Sequence, residues 1–183
     1  MKSHREQTIP RSNVQRFSAG KHKFSMRQLT AHDAETYLTF FNRLDAPTIR
    51  CRYGHMVSQL TLDAAVKIAS LDPTWEPAIA VFTEDESSIV ALGRFHADPI
   101  QSSAEIAVVV DSSMRRLGLG KILLESLIEQ AEQRGLAQLH AYVVTKNAPI
   151  QKLLRTLGFE MQEAVPATFS EEEDIKFTLT LVA

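Results

Sequence analysis

One mixed α/β sheet with helices on both faces is the fold class that this sequence predicts. Three observations predict it. Apolar runs of strand length alternate with stretches of helical spacing. Their order reads strand, two or three helices, three strands, helix, strand, helix, strand, strand. The 183 residues amount to about one domain, with no internal repeat and no linker-like stretch.

Composition narrows the class. The chain is 44% hydrophobic and 23% charged, as a globular core requires. Lys plus Arg is 20 and Asp plus Glu is 22, a formal net charge of -2. That balance argues against a nucleic-acid coat, and no nucleic acid is expected as a partner. A single cysteine, Cys51, excludes an intramolecular disulfide framework. No apolar run approaches the ~20 residues of a membrane span. A cytoplasmic protein with no membrane partner is expected.

The elements follow in order. Residues 1–23 carry Lys2, Arg5, Arg11, Arg16, Lys21 and Lys23 against Glu6 alone. They are read as a basic, partly disordered leader, with the domain proper over 24–183. Phe24 to Leu29 is a first strand. Thr30 and Asp33 stand in a capping-box-like relation. Tyr37, Phe40, Phe41 and Leu44 then recur at helical spacing over 31–44. Residues 47–70 read as helix, interrupted near Gly54. Ala78 to Thr83 is a short apolar strand, followed by a polar turn. Ile89 to His96 returns, with Ile89, Ala91, Gly93 and Phe95 on one side. Glu105 to Val110 is apolar on both faces and therefore central. Residues 118–134 form the clearest helix, ~25 Å long, burying Leu123, Leu124, Leu127, Ile128 and Ala131. Gly135 stops it. Leu139 to Val144 is a strand, Asn147 to Leu157 a helix ended by Gly158, and Phe159 to Glu163 a strand. Ile175, Phe177, Leu179 and Leu181 alternate along the last one.

The chemistry concentrates where the central strand ends. Asp111 to Leu117 makes a turn containing Arg115 and Arg116. Gly118-Leu119-Gly120-Lys121 then opens the long helix. Free N–H groups, partial positive charge, close backbone approach and flanking cations together suit a phosphate or pyrophosphate. A P-loop is excluded, because Ile122 follows Lys121 where a hydroxyl is needed. A dinucleotide fingerprint is excluded, because Leu123 stands where a third glycine is needed.

Arg115-Arg116-Leu117-Gly118-Leu119-Gly120 resembles the (Gln/Arg)-x-x-Gly-x-(Gly/Ala) signature of the GNAT superfamily of acyl-CoA-dependent N-acyltransferases. The preceding strand Ala104 to Val110 and the Asn147…Leu157-Gly158-Phe159 element are similar to the family's in order and spacing. Phe40-Phe41-Asn42-Arg43-Leu44, with Arg50-Cys51-Arg52-Tyr53, resembles the domain of Pat-type bacterial protein lysine acetyltransferases. The resemblance implies a mostly antiparallel sheet with a central splay between adjacent strands. It also implies acetyl-CoA as cosubstrate, seated in that splay. The pyrophosphate would lie on the N–H groups of residues 116–121, with Arg115, Arg116 and Lys121 beside it. Backbone of Val108 and Val110 would pair with the pantetheine, and Asn147 would bond it. The acceptor implied is a primary amine, a protein lysine or a small amine.

A lysine ammonium costs roughly 4.6 kcal/mol to neutralise at pH 7, so a base is useful. Glu105 is the candidate, being the one acid in an otherwise apolar strand. The resemblance implies the same role. Leu154 stands where many GNAT enzymes carry a Tyr that protonates the leaving thiolate. His96 is expected at a strand end and His140 as a packed or edge residue. Cys51 is expected to be small and buried. Arg50, Arg52 and Tyr53 lie where a substrate wall forms. Glu171 to Asp174 is read as a solvated acidic loop. No metal spacing is present. A homodimer through a sheet edge or apolar helix face is compatible with the sequence. The competing class is a non-catalytic acyl-CoA sensor or assembly module.

Overall fold

The computed structural model describes residues 14–53, 59–98, 100, 102–166 and 173–181. Its strands are β1 (Gln15–Ala19), β2 (His22–Gln28), β3 (Ala78–Thr83), β4 (Ile89–Asp98), β5 (Ser103–Val110), β6 (Gln138–Val144), β7 (Glu160–Pro166) and β8 (Glu173–Thr180). Its helices are α1 (Ala34–Arg43), α2 (Ala46–Tyr53), α3 (Leu62–Ala69), α4 (Leu119–Gln133) and α5 (Ala148–Thr156). The strands form one sheet in the order β1-β2-β3-β4-β5-β6-β8-β7. Every pair is antiparallel except β5 and β6, which run parallel. A mixed, mostly antiparallel α/β sheet is therefore the observed class.

Both faces are covered over β2–β5. On one face Tyr37 and Phe40 of α1 and Ala65 and Ala69 of α3 meet Phe82, Leu92 and Val109. On the other, Leu119, Leu123, Leu124 and Leu127 of α4 and Leu154 of α5 meet Phe95, Ile106, Leu139 and Phe177. Fully burying one such leucine contributes about 2 kcal/mol. Gly93 lets α4 sit close, since a Cβ there would lie 2.9 Å from Leu127 Cδ1. Beyond β5, Tyr142 on the α1/α3 face of β6 is 46% exposed.

Three expectations are corrected. Domain structure begins before residue 24: β1 pairs with β2 through a turn in which Gly20 takes φ +60. Phe17 and Phe24 face each other across that hairpin, ring centroids 5.6 Å apart. Secondly, Ile89 does not share a side with Ala91 and Phe95. It packs with Phe40 and Phe82, while Ala91 and Phe95 pack under α4. A register shift where β4 pairs with Val81 and Phe82 breaks the alternation. Thirdly, Glu173 and Asp174 belong to β8 rather than to a loop. Glu171 and Glu172, like residues 1–13, lie outside the described residues.

The strand-to-helix corner after β2 is an ion-pair knot. Arg27 donates two hydrogen bonds to Asp33, both 2.8 Å, and stacks over Phe82. Asp33 also accepts from the Thr30 N–H and hydroxyl. Burial raises the Asp33 pKa, but the Arg27 and Thr30 bonds outweigh it and hold it below 3.8. A lowered native pKa gives stability that is present above the ordinary carboxylate value. It is lost as pH falls through the native one. Asp33→Asn is expected to cost about 3 kcal/mol at pH 7, because it leaves Arg27 half-paired. Urea melts of both proteins should show the gap closing below the ordinary carboxylate range.

Among the described residues, no helix is long and apolar enough to cross a membrane. Among them, no group of three or more His, Cys, Asp or Glu is placed to hold a metal ion.

Candidate functional site

Pairing between β5 and β6 covers three rungs only: Ser103 with Gln138, Ala104 with Leu139, and Glu105 with His140. Among the described residues, the β5 backbone from Ile106 to Val110 has no strand partner on the β6 side. The two strands splay there. Val108 and Val110 turn half-buried side chains onto the α4 core, which leaves their main chain along the gap. Parallel strands keep register only while both follow the same twist. Here Gly120 of α4 is seated near Leu153 of α5 and Val110 of β5.

Directly after β5 the chain turns into α4. Asp111 organises the turn: it accepts from the Ser113 N–H at 2.9 Å and hydroxyl at 2.7 Å. It also accepts from Arg43 Nε at 2.8 Å. Burial opposes its charge, yet the Ser113 and Arg43 bonds hold its pKa below the ordinary value. Arg43 reaches on to the Ile89 carbonyl at 2.8 Å, so the turn is fixed to α1 and β4. Arg116 takes φ +64 and Gly118 φ +80. Gly118 is the N-cap of α4, and no side chain caps it. The first helical bond runs from Ile122 N–H to the Gly118 carbonyl. The N–H groups of Leu119, Gly120 and Lys121 are the first-turn donors. A Cβ at Gly118 would meet nothing within 4 Å, so the space before the helix is open.

The predicted site residues divide accordingly. Glu105 is exposed, at the vertex of the splay. Arg116 is exposed beside the helix start, and Lys121 lies 3.6 Å from Glu125 one turn on. Leu119 is buried under the sheet, so it offers the site its main chain only. Asn147 begins α5 and makes no capping bond with its side chain. Arg115 is held elsewhere: its guanidinium donates to the Thr48 hydroxyl of α2. Thr48 in turn donates to Asp45. Leu154 is buried in the α4 core and supplies no proton donor. Arg50 is exposed on α2; the side chains of Cys51, Arg52 and Tyr53 lie outside the described residues.

Two histidines flank Glu105. His96 is its partner on β4, and its Nδ1 lies 2.9 Å from Glu76 Oε1. His140 is its partner on β6 and is neither an edge residue nor core. Its Nδ1 lies 3.2 Å from Thr178 Oγ1. Burial, then the nearby Lys176 charge, lower its pKa. Strand order and register, not local pattern, bring these groups together.

The sequence profile described as the Acetyltransferase (GNAT) family matches residues 51–159. The GNAT domain of S. lividans PAT superposes with a TM-score of 0.80 at 18% identity, covering 92% of this chain and 97% of that one. A putative acetyltransferase from Salmonella typhimurium, solved with its cofactor acetyl-CoA, gives a TM-score of 0.71 at 19% identity, covering 87% and 95%. The ribosomal protein bS18-alanine N-acetyltransferase of Escherichia coli is 36% identical over 78 residues, 40% of this chain and 53% of that enzyme. The chain spans about half the length, or less, of the curated relatives it matches.

Proposed function

The chain belongs to the acetyltransferase (GNAT) family, and from that premise we propose that it moves the acetyl group of acetyl-CoA onto a primary amine by direct attack. The observation that carries this reading is the splay. A half-paired strand, an acid at its vertex and an uncapped helix start stand in one line. The residues present fit acetyl-CoA. The N–H groups of Leu119, Gly120 and Lys121, with Arg116, suit a pyrophosphate. Arg115 joins them by exchanging Thr48 for the phosphate. The free backbone of Val108 and Val110 suits the amides of the pantetheine, and Asn147 closes it from α5. One β5 N–H polarises the thioester carbonyl and receives the developing oxyanion. Glu105 takes a proton from the attacking amine.

The acceptor we propose is a protein lysine or a small amine, approaching over the face of β6 on which Tyr142 is exposed. Likeness to an enzyme that acts on a ribosomal protein's alanine makes a protein N-terminus the second reading. Incubation with acetyl-CoA and a panel of lysine peptides, free-N-terminal peptides and polyamines separates them. Thiol release and acceptor mass are followed together. An acetylated lysine or polyamine supports the first, and an acetylated N-terminus the second. Tight acetyl-CoA binding without release on any acceptor would turn the reading to a non-catalytic sensor.

A further inference from the structure

We infer that His140 is the second proton acceptor of this reaction, working beside Glu105 at the vertex of the splay. The inference rests on the transferase reading above. Proton arithmetic calls for it. The acceptor arrives as an ammonium with three N–H bonds, and the amide product keeps one. As the N–C bond forms and the thioester C–S bond breaks, the thiolate leaves with the electron pair. Two protons must leave nitrogen; one ends on the thiolate and one in water. The Glu105 carboxylate accepts one. Leu154 offers no donor to the thiolate. A neutral imidazole takes the second proton and hands it on.

The geometry singles out His140. Glu105 and His140 form the last β5–β6 rung, on strands about 4.8 Å apart. Both side chains leave the face opposite Ala104, Ile106, Leu139 and Ala141, which lie in the α4 core. They therefore stand side by side where the gap opens. His96 flanks Glu105 from the far side, but its Nδ1 is committed to Glu76. His140 Nδ1 lies 3.2 Å from Thr178 Oγ1, and in the tautomer that donates its Nδ1–H there the Nε2 lone pair is the acceptor. The groups facing it are Glu105 on β5, Tyr142 on its own strand, and Lys176 and Thr178 on β8. Glu160 on β7 and His96 on β4 stand one strand further out. Burial and Lys176 favour the neutral ring that a base requires.

The test measures kcat against pH for the wild type, His140→Gln, His140→Ala and Thr178→Val. The acceptor is an equimolar pool of lysine peptides and free-N-terminal peptides; acetyl-CoA Kd is measured by calorimetry. His140→Gln should lose roughly 10²-fold in kcat with acetyl-CoA Kd unchanged. It should also lose an acidic limb of the wild-type profile that titrates below the ordinary imidazole value. Thr178→Val, which keeps the imidazole but removes its anchor, should move that limb with a smaller rate loss. Added imidazole should restore part of the rate to His140→Ala. A His140→Gln enzyme with wild-type kcat and profile overturns the inference alone. So does a rate loss matched by an equal loss of acetyl-CoA affinity. A wild type that releases no thiol on this pool, nor on the polyamines of the panel above, overturns the transferase reading and this inference with it.

Discussion

Glu105→Gln is expected to lower kcat by about 10²–10⁴-fold while acetyl-CoA Kd stays within about twofold. Gln keeps the size and the hydrogen-bonding reach of Glu but cannot take a proton. Glu105 is exposed on β5 and its neighbours in the strand are core residues on the other face, so the exchange leaves the packing intact. The helix start that would hold the pyrophosphate lies past the end of that strand and does not involve the carboxylate. Single-turnover acetyl transfer, paired with calorimetry on acetyl-CoA, separates chemistry from binding. A variant with wild-type kcat removes Glu105 from the proton path. A variant that loses affinity in proportion makes it a binding group.

Gly118→Val is expected to do the opposite. It should raise the acetyl-CoA Kd by roughly 100-fold, or about 2.7 kcal/mol, with a native fold. The φ of +80 is strained for any side chain, and most for a β-branched one. A Cβ there meets no neighbour, so the strain is not a clash in the core. The turn relieves it by abandoning the left-handed conformation. The N–H groups of Leu119, Gly120 and Lys121 then lose their common aim. Gly118→Ala should show the same change in smaller measure. Circular dichroism gives the fold and calorimetry the affinity. An unchanged Kd would mean that the phosphate lies elsewhere.

Much of the candidate site's framework was legible because its signals are local. The apolar run of β5, the glycines at 118 and 120, and the long arc of leucines in α4 all act within a few turns of chain. β3 was readable to the residue as Ala78–Thr83 for the same reason. What escaped was set at a distance. Only two residues of β1, Phe17 and Ala19, pack on the core. Against Arg16, Lys21 and Lys23 they give too short an alternation to register as a strand. The tie from Arg115 to Thr48 spans 67 residues. His140 reads as an ordinary strand residue until the strand order places it beside Glu105. Ile89 changes side through a bulge, and no period of two announces a bulge.

Among the described residues, three rungs join β1–β5 to β6, β8 and β7 along the sheet. The molecule is thus two leaves bound at one end of a spine, with α4 and α5 as the backing. Wherever the spine is open, each leaf lacks part of its own stitching. A thioester cosubstrate seated in the opening, as proposed, would supply those stitches to both leaves at once. Its binding free energy would become cohesion of the fold, about 2.7 kcal/mol at a hundred times Kd. The leaf carrying β6 should tighten most. Slower amide exchange from Ala141 to Val144 on loading would be its signature.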